Sequence, residues 1–162
     1  MRIKYLIDED FINYKKPSMF IGTSTCSGKC YKELGLAANI CQNHELLTSP
    51  IIDVNDINLC NRYISNDLTS AIVFGGLEPF DQYEEVFNFI NMLRNQFSCN
   101  DDIVIYTGYT ANEIYQYIDE LSKSFVNIIV KYGRYIPDKE NKFDKTLGIT
   151  LASDNQYAVK IS

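Results

Sequence analysis

Alternating strands and helices in the second half of the sequence constrain the fold more than any other feature. An apolar run at 71–74 precedes a helical pattern over 81–97, and a second run at 102–106 precedes another from 110 to 123. A third apolar run covers 126–130. Strands joined through helices form right-handed βαβ units. We therefore predict an α/β fold with a mostly parallel sheet and helices on its outside.

The remaining secondary structure is shorter and less regular. We predict strands at 2–7 and 19–22, short helices at 31–39 and 56–65, and one or two further strands within 147–162. Asp81 and Thr110 are each followed three residues later by a glutamate, which is the capping-box spacing. We expect these two residues to be the N-caps of the two longer helices.

Composition excludes several classes of protein. A chain of 162 residues is expected to form one domain, residues 1–162, and its formal net charge of −6 argues against a nucleic-acid partner. No apolar run has the length of a membrane-spanning helix. The acids at 8–10 follow a short apolar piece, unlike a signal peptide, so we expect a cytoplasmic protein with no membrane partner.

Three of the five cysteines lie close together in the sequence. Cys26, Cys30 and Cys41 are spaced C-x3-C-x10-C and begin just after the strand predicted at 19–22. Thiolates are soft ligands that suit zinc or an iron–sulfur cluster, and an odd cysteine number without an export signal argues against disulfides. His44 extends the pattern to a possible closed Cys3His zinc site, and the spacing alone leaves zinc and cluster open. We interpret the other two cysteines, Cys60 and Cys99, as core residues.

Small and polar residues follow each predicted parallel strand. Gly75-Gly76, Thr107-Gly108 and the segment 131–134 come directly after the apolar runs. The carboxyl ends of parallel strands meet at one edge of a sheet, which is where such sheets bind ligands. Glycine at these ends allows the backbone to approach a ligand closely.

Four ordered motifs resemble one known superfamily. The segment 74–80, FGGLEPF, is similar to the Gly-Gly-Glu-Pro motif of radical S-adenosylmethionine (SAM) proteins. Segments 106–110, 130–136 and 153–156 resemble, in the same order, elements of the activating proteins of anaerobic ribonucleoside-triphosphate reductase. Two departures are evident: the family's C-x3-C-x2-C becomes C-x3-C-x10-C through eight extra residues, and Leu77 is inserted into the glycine–glutamate motif.

The resemblance implies a fold and a set of binding residues. The fold would be a partial (β/α)6-type radical SAM barrel, with a [4Fe–4S] cluster held by Cys26, Cys30 and Cys41. SAM would chelate the open iron, place its adenine near Ile40 and give its amino group to backbone carbonyls of Gly75 and Gly76. The complete set expected to bind SAM is Ile40, Gly75, Gly76, Glu78, Thr107, Lys131 and Asn155.

The resemblance also implies an activity. The protein would be an anaerobic oxidoreductase that cleaves SAM reductively to methionine and a 5′-deoxyadenosyl radical, using flavodoxin or ferredoxin as electron donor. The radical would activate a glycyl radical enzyme such as anaerobic ribonucleotide reductase. Two alternatives remain: a radical SAM enzyme acting on a nucleoside precursor or peptide, and a non-catalytic Cys3His zinc-binding interaction module.

Overall fold

The computed structural model describes residues 1–162, which form nine strands and four α-helices. The strands are β1 Arg2–Asp10, β2 Ser18–Thr23, β3 Ile52–Asp53, β4 Ala71–Gly76, β5 Asp102–Tyr106, β6 Ile128–Tyr132, β7 Lys142–Asp144, β8 Ile149–Leu151 and β9 Tyr157–Lys160. The helices are α1 Lys29–Glu33, α2 Asp56–Ile64, α3 Tyr83–Asn95 and α4 Tyr115–Ser124. Short 3-10 turns occur at Ala38–Ile40, His44–Leu47 and Pro79–Gln82.

Seven strands form one sheet in the order β3-β1-β2-β4-β5-β6-β9. The central strands β2, β4, β5 and β6 are parallel, as predicted, whereas β1 is antiparallel to β2 and β3, and β9 is antiparallel to β6. The (β/α)6-type partial barrel is not confirmed, because only four strands are parallel and the sheet is open at β3 and β9. The outer strands reverse direction because no helical crossover connects β1 to β2 or β6 to β9.

Three helices pack on one face of the sheet and bury the larger core. Phe89 and Leu93 of α3 and Leu121 of α4 are fully buried there against strand residues such as Ile72 and Phe74. Their spacing places the apolar side chains on one side of each helix, as the periodicity predicted. Cys60 and Cys99 are buried in the same core, which confirms their interpretation as core residues.

The opposite face of the sheet carries no helix. A smaller core there contains Phe20 and Val104 from the strands, covered by Tyr14 of the segment 11–17 and by Leu147 and Leu151 around the β7–β8 hairpin. This covering layer is short, so the sheet remains open on this face near the carboxyl ends of its parallel strands.

The predicted helix starts need correction. Asp81 is not the N-cap of α3: the helix begins at Tyr83 after a 3-10 turn that Glu78 caps by accepting from the Phe80 amide. The Asp81 carboxylate instead accepts from the Ser27 amide and the Tyr109 hydroxyl, both at 2.6 Å. Tertiary donors therefore compete successfully for a carboxylate that the local pattern assigned to a cap.

Two other boundaries differ. Thr110 does not cap a helix, because α4 begins only at Tyr115, although its amide donates to Glu113 Oε2 at 2.8 Å within the preceding turn. The helix predicted over 31–39 is shorter and earlier, at 29–33, and is followed by Gly35 with φ of +64°. That left-handed conformation does not continue a helix. No helix is both long and apolar enough to cross a membrane.

Candidate metal centre

A cavity of about 410 Å³ opens at the carboxyl ends of the parallel strands, on the face that carries no helices. All three clustered cysteines line it. So do six of the seven residues expected to bind SAM, namely Ile40, Gly75, Gly76, Glu78, Thr107 and Lys131. This volume lies within the range of small-molecule sites. The fold thus brings together residues that are up to about a hundred positions apart in the sequence.

The cysteines reach the cavity from one continuous segment above β2. Cys26 lies in the loop after β2, where its Sγ accepts from the Gly28 amide at 3.3 Å. Cys30 is the second residue of α1, and Cys41 follows the 3-10 turn at 38–40. All three side chains are half-buried free thiols. Gly28 has φ of +69°, which turns the chain between the first two cysteines.

Two of the thiols influence each other's ionisation. The interaction between Cys30 and Cys41 lowers the pKa of Cys41 to about 6 and raises the pKa of Cys30 well above its usual value. Burial raises the pKa of Cys26. Cys41 therefore offers a thiolate near neutral pH, which is the form that binds metal.

His44 does not join the thiols in a closed site. Its Nδ1 lies 3.1 Å from the Cys41 carbonyl oxygen, and the residue does not line the cavity. No group of three or more histidine, cysteine, aspartate or glutamate side chains is arranged to hold a metal ion.

The extra residues between Cys30 and Cys41 lead to an asparagine that closes one side of the cavity. Asn43 Nδ2 donates to the Gly76 carbonyl at 2.8 Å, and Thr23 Oγ1 donates to the Gly75 carbonyl at 3.1 Å. These are the two carbonyls expected to receive an amino group. A carbonyl oxygen has two lone pairs, so a carbonyl can accept more than one hydrogen bond.

Glu78 connects the turns after β4 and β5. Its Oε1 accepts from Thr107 Oγ1 at 2.7 Å and from the Phe80 amide, and its Oε2 accepts from the Gly108 amide at 2.9 Å. Burial raises the pKa of Glu78 to about 7, although these three donors favour the charged form. Glu78 therefore fixes the shape of the cavity wall, and Thr107 takes part through the same hydrogen bond.

Lys131 is a buried cation at the end of β6. It is 8% exposed, and its Nζ donates to the Gly133 carbonyl at 3.2 Å and lies 5.8 Å from the centre of the Tyr106 ring. Burial lowers its pKa to about 8, against the opposing effect of Glu78. No carboxylate forms a salt bridge with Lys131, so it is suited to an anionic group of a ligand.

Asn155 lies outside the cavity lining, where its neighbour Gln156 is found instead. Asn155 Nδ2 donates to the Arg134 carbonyl at 2.9 Å, and its Oδ1 is buried without a partner. Asn155 therefore contacts the backbone of the strand-end segment 131–134 and does not line the cavity.

Sequence reasoning missed a charged network beside the cysteines. Glu113 Oε1 accepts from Lys29 Nζ and from Arg134 Nη2, both at 2.7 Å, and Arg134 also pairs with Glu33. These residues are separated by up to about a hundred positions, so no local pattern reveals them. The only sequence feature that pointed to a role for Arg134 was its position just beyond the end of a predicted strand.

The donor chemistry of the cavity suits an iron–sulfur cluster. Three thiols are the donor set that iron prefers, and they share one cavity with two glycines that leave its wall open. The cysteine segment lies close to the turn after β5: a Cβ placed on Gly108 would lie 3.7 Å from the Cys30 Cβ.

Comparison with known proteins supports the same conclusion. A family model described as a 4Fe-4S single cluster domain matches residues 19–157, most of the chain and all three clustered cysteines. No curated protein and no solved structure shows significant similarity. The named cluster favours the cluster interpretation of these cysteines over a Cys3His zinc site. The chain belongs to the family of 4Fe-4S single cluster domains.

Proposed function

We propose that the protein is a radical SAM enzyme that activates a glycyl radical enzyme. The observation that carries this proposal is the meeting of the three cysteines with Gly76, Glu78 and Lys131 around one cavity at the strand ends. The family match supplies the cluster, and the motif resemblance supplies SAM as the second cofactor.

Cys26, Cys30 and Cys41 would hold the cluster and leave one iron free of protein ligands. A reduced cluster held there would supply the one electron that cleaves the carbon–sulfur bond of SAM, giving methionine and a 5′-deoxyadenosyl radical. Cys41 enters this role readily, because its lowered pKa of about 6 leaves a thiolate at neutral pH.

The cavity walls suit the polar groups of SAM. The Gly75 and Gly76 carbonyls lie at the cavity wall, where their lone pairs suit the methionyl amino group. The ammonium of Lys131, which has no salt-bridge partner, suits the carboxylate, and Ile40 provides an apolar contact for the adenine. Glu78 and Thr107 act through the wall, since both are occupied with each other. Asn155 contributes indirectly by holding the Arg134 carbonyl.

The mouth of the cavity favours a protein substrate. Ile12 is 76% exposed, and Leu34 and Leu36 are also exposed, yet all three line the cavity. Exposed apolar side chains around an opening are typical of protein contact sites. We propose anaerobic ribonucleotide reductase as the partner that inserts its glycine loop here, and flavodoxin or ferredoxin as the electron donor.

Anaerobic reconstitution with iron and sulfide tests the proposal. We expect a brown protein with about four irons per chain, whose reduced electron-spin signal changes when SAM is added and which forms 5′-deoxyadenosine. A colourless protein with one tightly bound zinc would refute it. Formation of 5′-deoxyadenosine with no glycyl radical in the reductase would instead favour the alternative in which a nucleoside precursor or a peptide is the substrate.

Cysteine variants identify the ligands. We expect Cys41→Ser to lose the visible absorption of the cluster almost completely, because two thiolates and a hydroxyl hold iron poorly. Cys60→Ser is the matched control, since Cys60 is buried in the helix-side core and should keep full iron content. Equal iron content in the two variants would contradict the assignment of Cys41. His44→Ala should also keep the cluster.

A further inference from the structure

The charged network beside the cysteines contains one donor with no partner. Both terminal nitrogens of Arg134 bind Glu113, at 3.0 and 2.7 Å, and one of them also pairs with Glu33. The third nitrogen, Nε, is buried and has no hydrogen-bond partner. A buried, unpaired N–H is costly, so its persistence needs an explanation.

Arg134 lies beside the proposed cluster ligands. It lines the large cavity, and it also lines a second cavity of about 20 Å³ together with Cys26, Cys30 and Lys29. Its side chain is only 12% exposed. The free Nε–H therefore belongs to a largely buried side chain that shares a small cavity with two of the three thiols, where solvent screens its charge only weakly.

The two carboxylates hold this guanidinium in a fixed orientation. Glu113 binds it in a bidentate manner, which restricts both the position and the plane of the group. Lys29, next to Cys30 in the sequence, completes a set of two cations and two anions with no net charge. Loss of the Arg134 charge alone would leave this set with one net negative charge beside the thiols.

We propose that Arg134 is a positioning residue that sets the reduction potential of the cluster, through its positive charge and its free Nε–H beside the cysteines. The proposal rests on the proposed cluster ligands, Cys26, Cys30 and Cys41. Reduction adds one electron, taken from an external donor, and so increases the negative charge of the site. A fixed cation and N–H donor stabilise the reduced form more than the oxidised form, and thereby raise the potential.

Spectroelectrochemical titration of reconstituted protein tests this proposal, with viologen dyes carrying electrons from the electrode. We expect Arg134→Gln to lower the equilibrium constant for reduction about tenfold, equivalent to ~59 mV for one electron. Glu113→Gln removes a negative charge from the same network and should shift the potential in the opposite direction. Arg62→Gln is the matched control, because Arg62 pairs with Asp8 and lines neither cavity.

Opposite shifts in the two variants distinguish tuning from a structural role, which would shift both potentials in one direction or neither. If Arg134→Gln does not retain its cluster, the upward shift in Glu113→Gln decides the question. An unchanged potential in Arg134→Gln at full iron content would overturn the role of Arg134 alone. Failure of the wild-type chain to take up iron would overturn the proposed function and this inference together.

Discussion

Glu78 shows how one side chain can shape the wall of a site through its own hydrogen bonds. Both of its oxygens accept hydrogen bonds from the turns after β4 and β5, and the residue is 9% exposed. On folding, this carboxylate loses its hydrogen bonds to water and gains three hydrogen bonds from fixed protein donors. The pKa of Glu78 nevertheless rises to about 7, because the effect of burial outweighs the effect of these donors.

This shift predicts a pH-dependent stability that a single substitution removes. The pKa of an unfolded glutamate is about 4.3, so the folded chain binds this proton more tightly than the unfolded chain. The resulting stabilisation is complete below about pH 4.3 and is lost as the pH rises to about 7. Between these limits, the free energy of unfolding of the wild type should fall relative to Glu78→Gln by on the order of 3 kcal/mol.

Urea denaturation at a series of pH values measures this difference. The nearby charges of Asp81, which raises the pKa of Glu78, and of Lys131 remain in both proteins, so the comparison isolates one carboxyl. Glu84→Gln, at an exposed position of α3, is the control and should show no such trend. A constant difference between wild type and Glu78→Gln from pH 4.5 to 7 would contradict the buried, proton-binding state of Glu78.

At the scale of elements, α1 is held mainly by charge. The helix has five residues and none of them is buried. Lys29 and Glu33 on α1 pair with Glu113 and Arg134 outside it, and Asn43 holds the end of the same segment through the Gly76 carbonyl. A helix this short is not stable on its own, so these contacts determine where Cys30 and Cys41 lie.

Salt should therefore loosen the cysteine segment selectively. At 1 M salt the Debye length is ~3 Å, which weakens ion pairs between partly exposed groups. We expect amide hydrogen exchange over residues 29–41 to accelerate several-fold between 0.05 and 1 M sodium chloride, while exchange in β4 and β5 stays constant. The half-exposed Lys29–Glu113 pair makes this segment more sensitive than the sheet. Salt-independent exchange over 29–41 would show that charge does not hold it.

The same elements show what the sequence can and cannot predict. The strands at 71–76 and 102–106 and the helix over 83–95 follow from apolar periodicity, which is a local property. The bond from Asp81 to the Ser27 amide spans 54 positions, and the contact between Arg134 and Glu33 spans 101. Such contacts depend on the completed fold, so the predicted cap failed and the charged network was missed.

At the scale of the whole molecule, the sheet has two unlike faces. The helix-covered face was predictable, because α3 and α4 carry apolar residues at helical spacing. The other face is covered by β7 and β8, strands of three residues each that are too short for a recognisable alternation. The cysteine pattern located the metal-binding segment, but the side of the sheet on which the cavity opens depends on this second layer.

The small second layer should nevertheless be part of one cooperative fold. Leu147 has no exposed surface and packs with Tyr14 and Phe20, and its carbonyl accepts from the Lys15 amide at 2.8 Å. The hairpin and the segment 11–17 thus support each other across the face that leads to the cavity. Buried Asp144 strengthens this layer by accepting from the amides of Thr146, Leu147 and Ala158.

Leu147→Ala should consequently destabilise the whole chain by about 2–5 kcal/mol, as much as Leu121→Ala on the helix side, because each removes a fully buried side chain. The chain has no tryptophan and 12 tyrosines, so urea transitions followed by tyrosine fluorescence and by far-ultraviolet circular dichroism provide two independent probes. If the two faces unfold together, both probes give the same lowered midpoint for each variant.

Leu68→Ala, at a position 61% exposed, should change stability by less than about 0.5 kcal/mol. A Leu147→Ala variant whose fluorescence transition precedes an unchanged circular dichroism transition would show instead that the hairpin layer unfolds independently, and that the cavity can open on this side while the sheet stays intact.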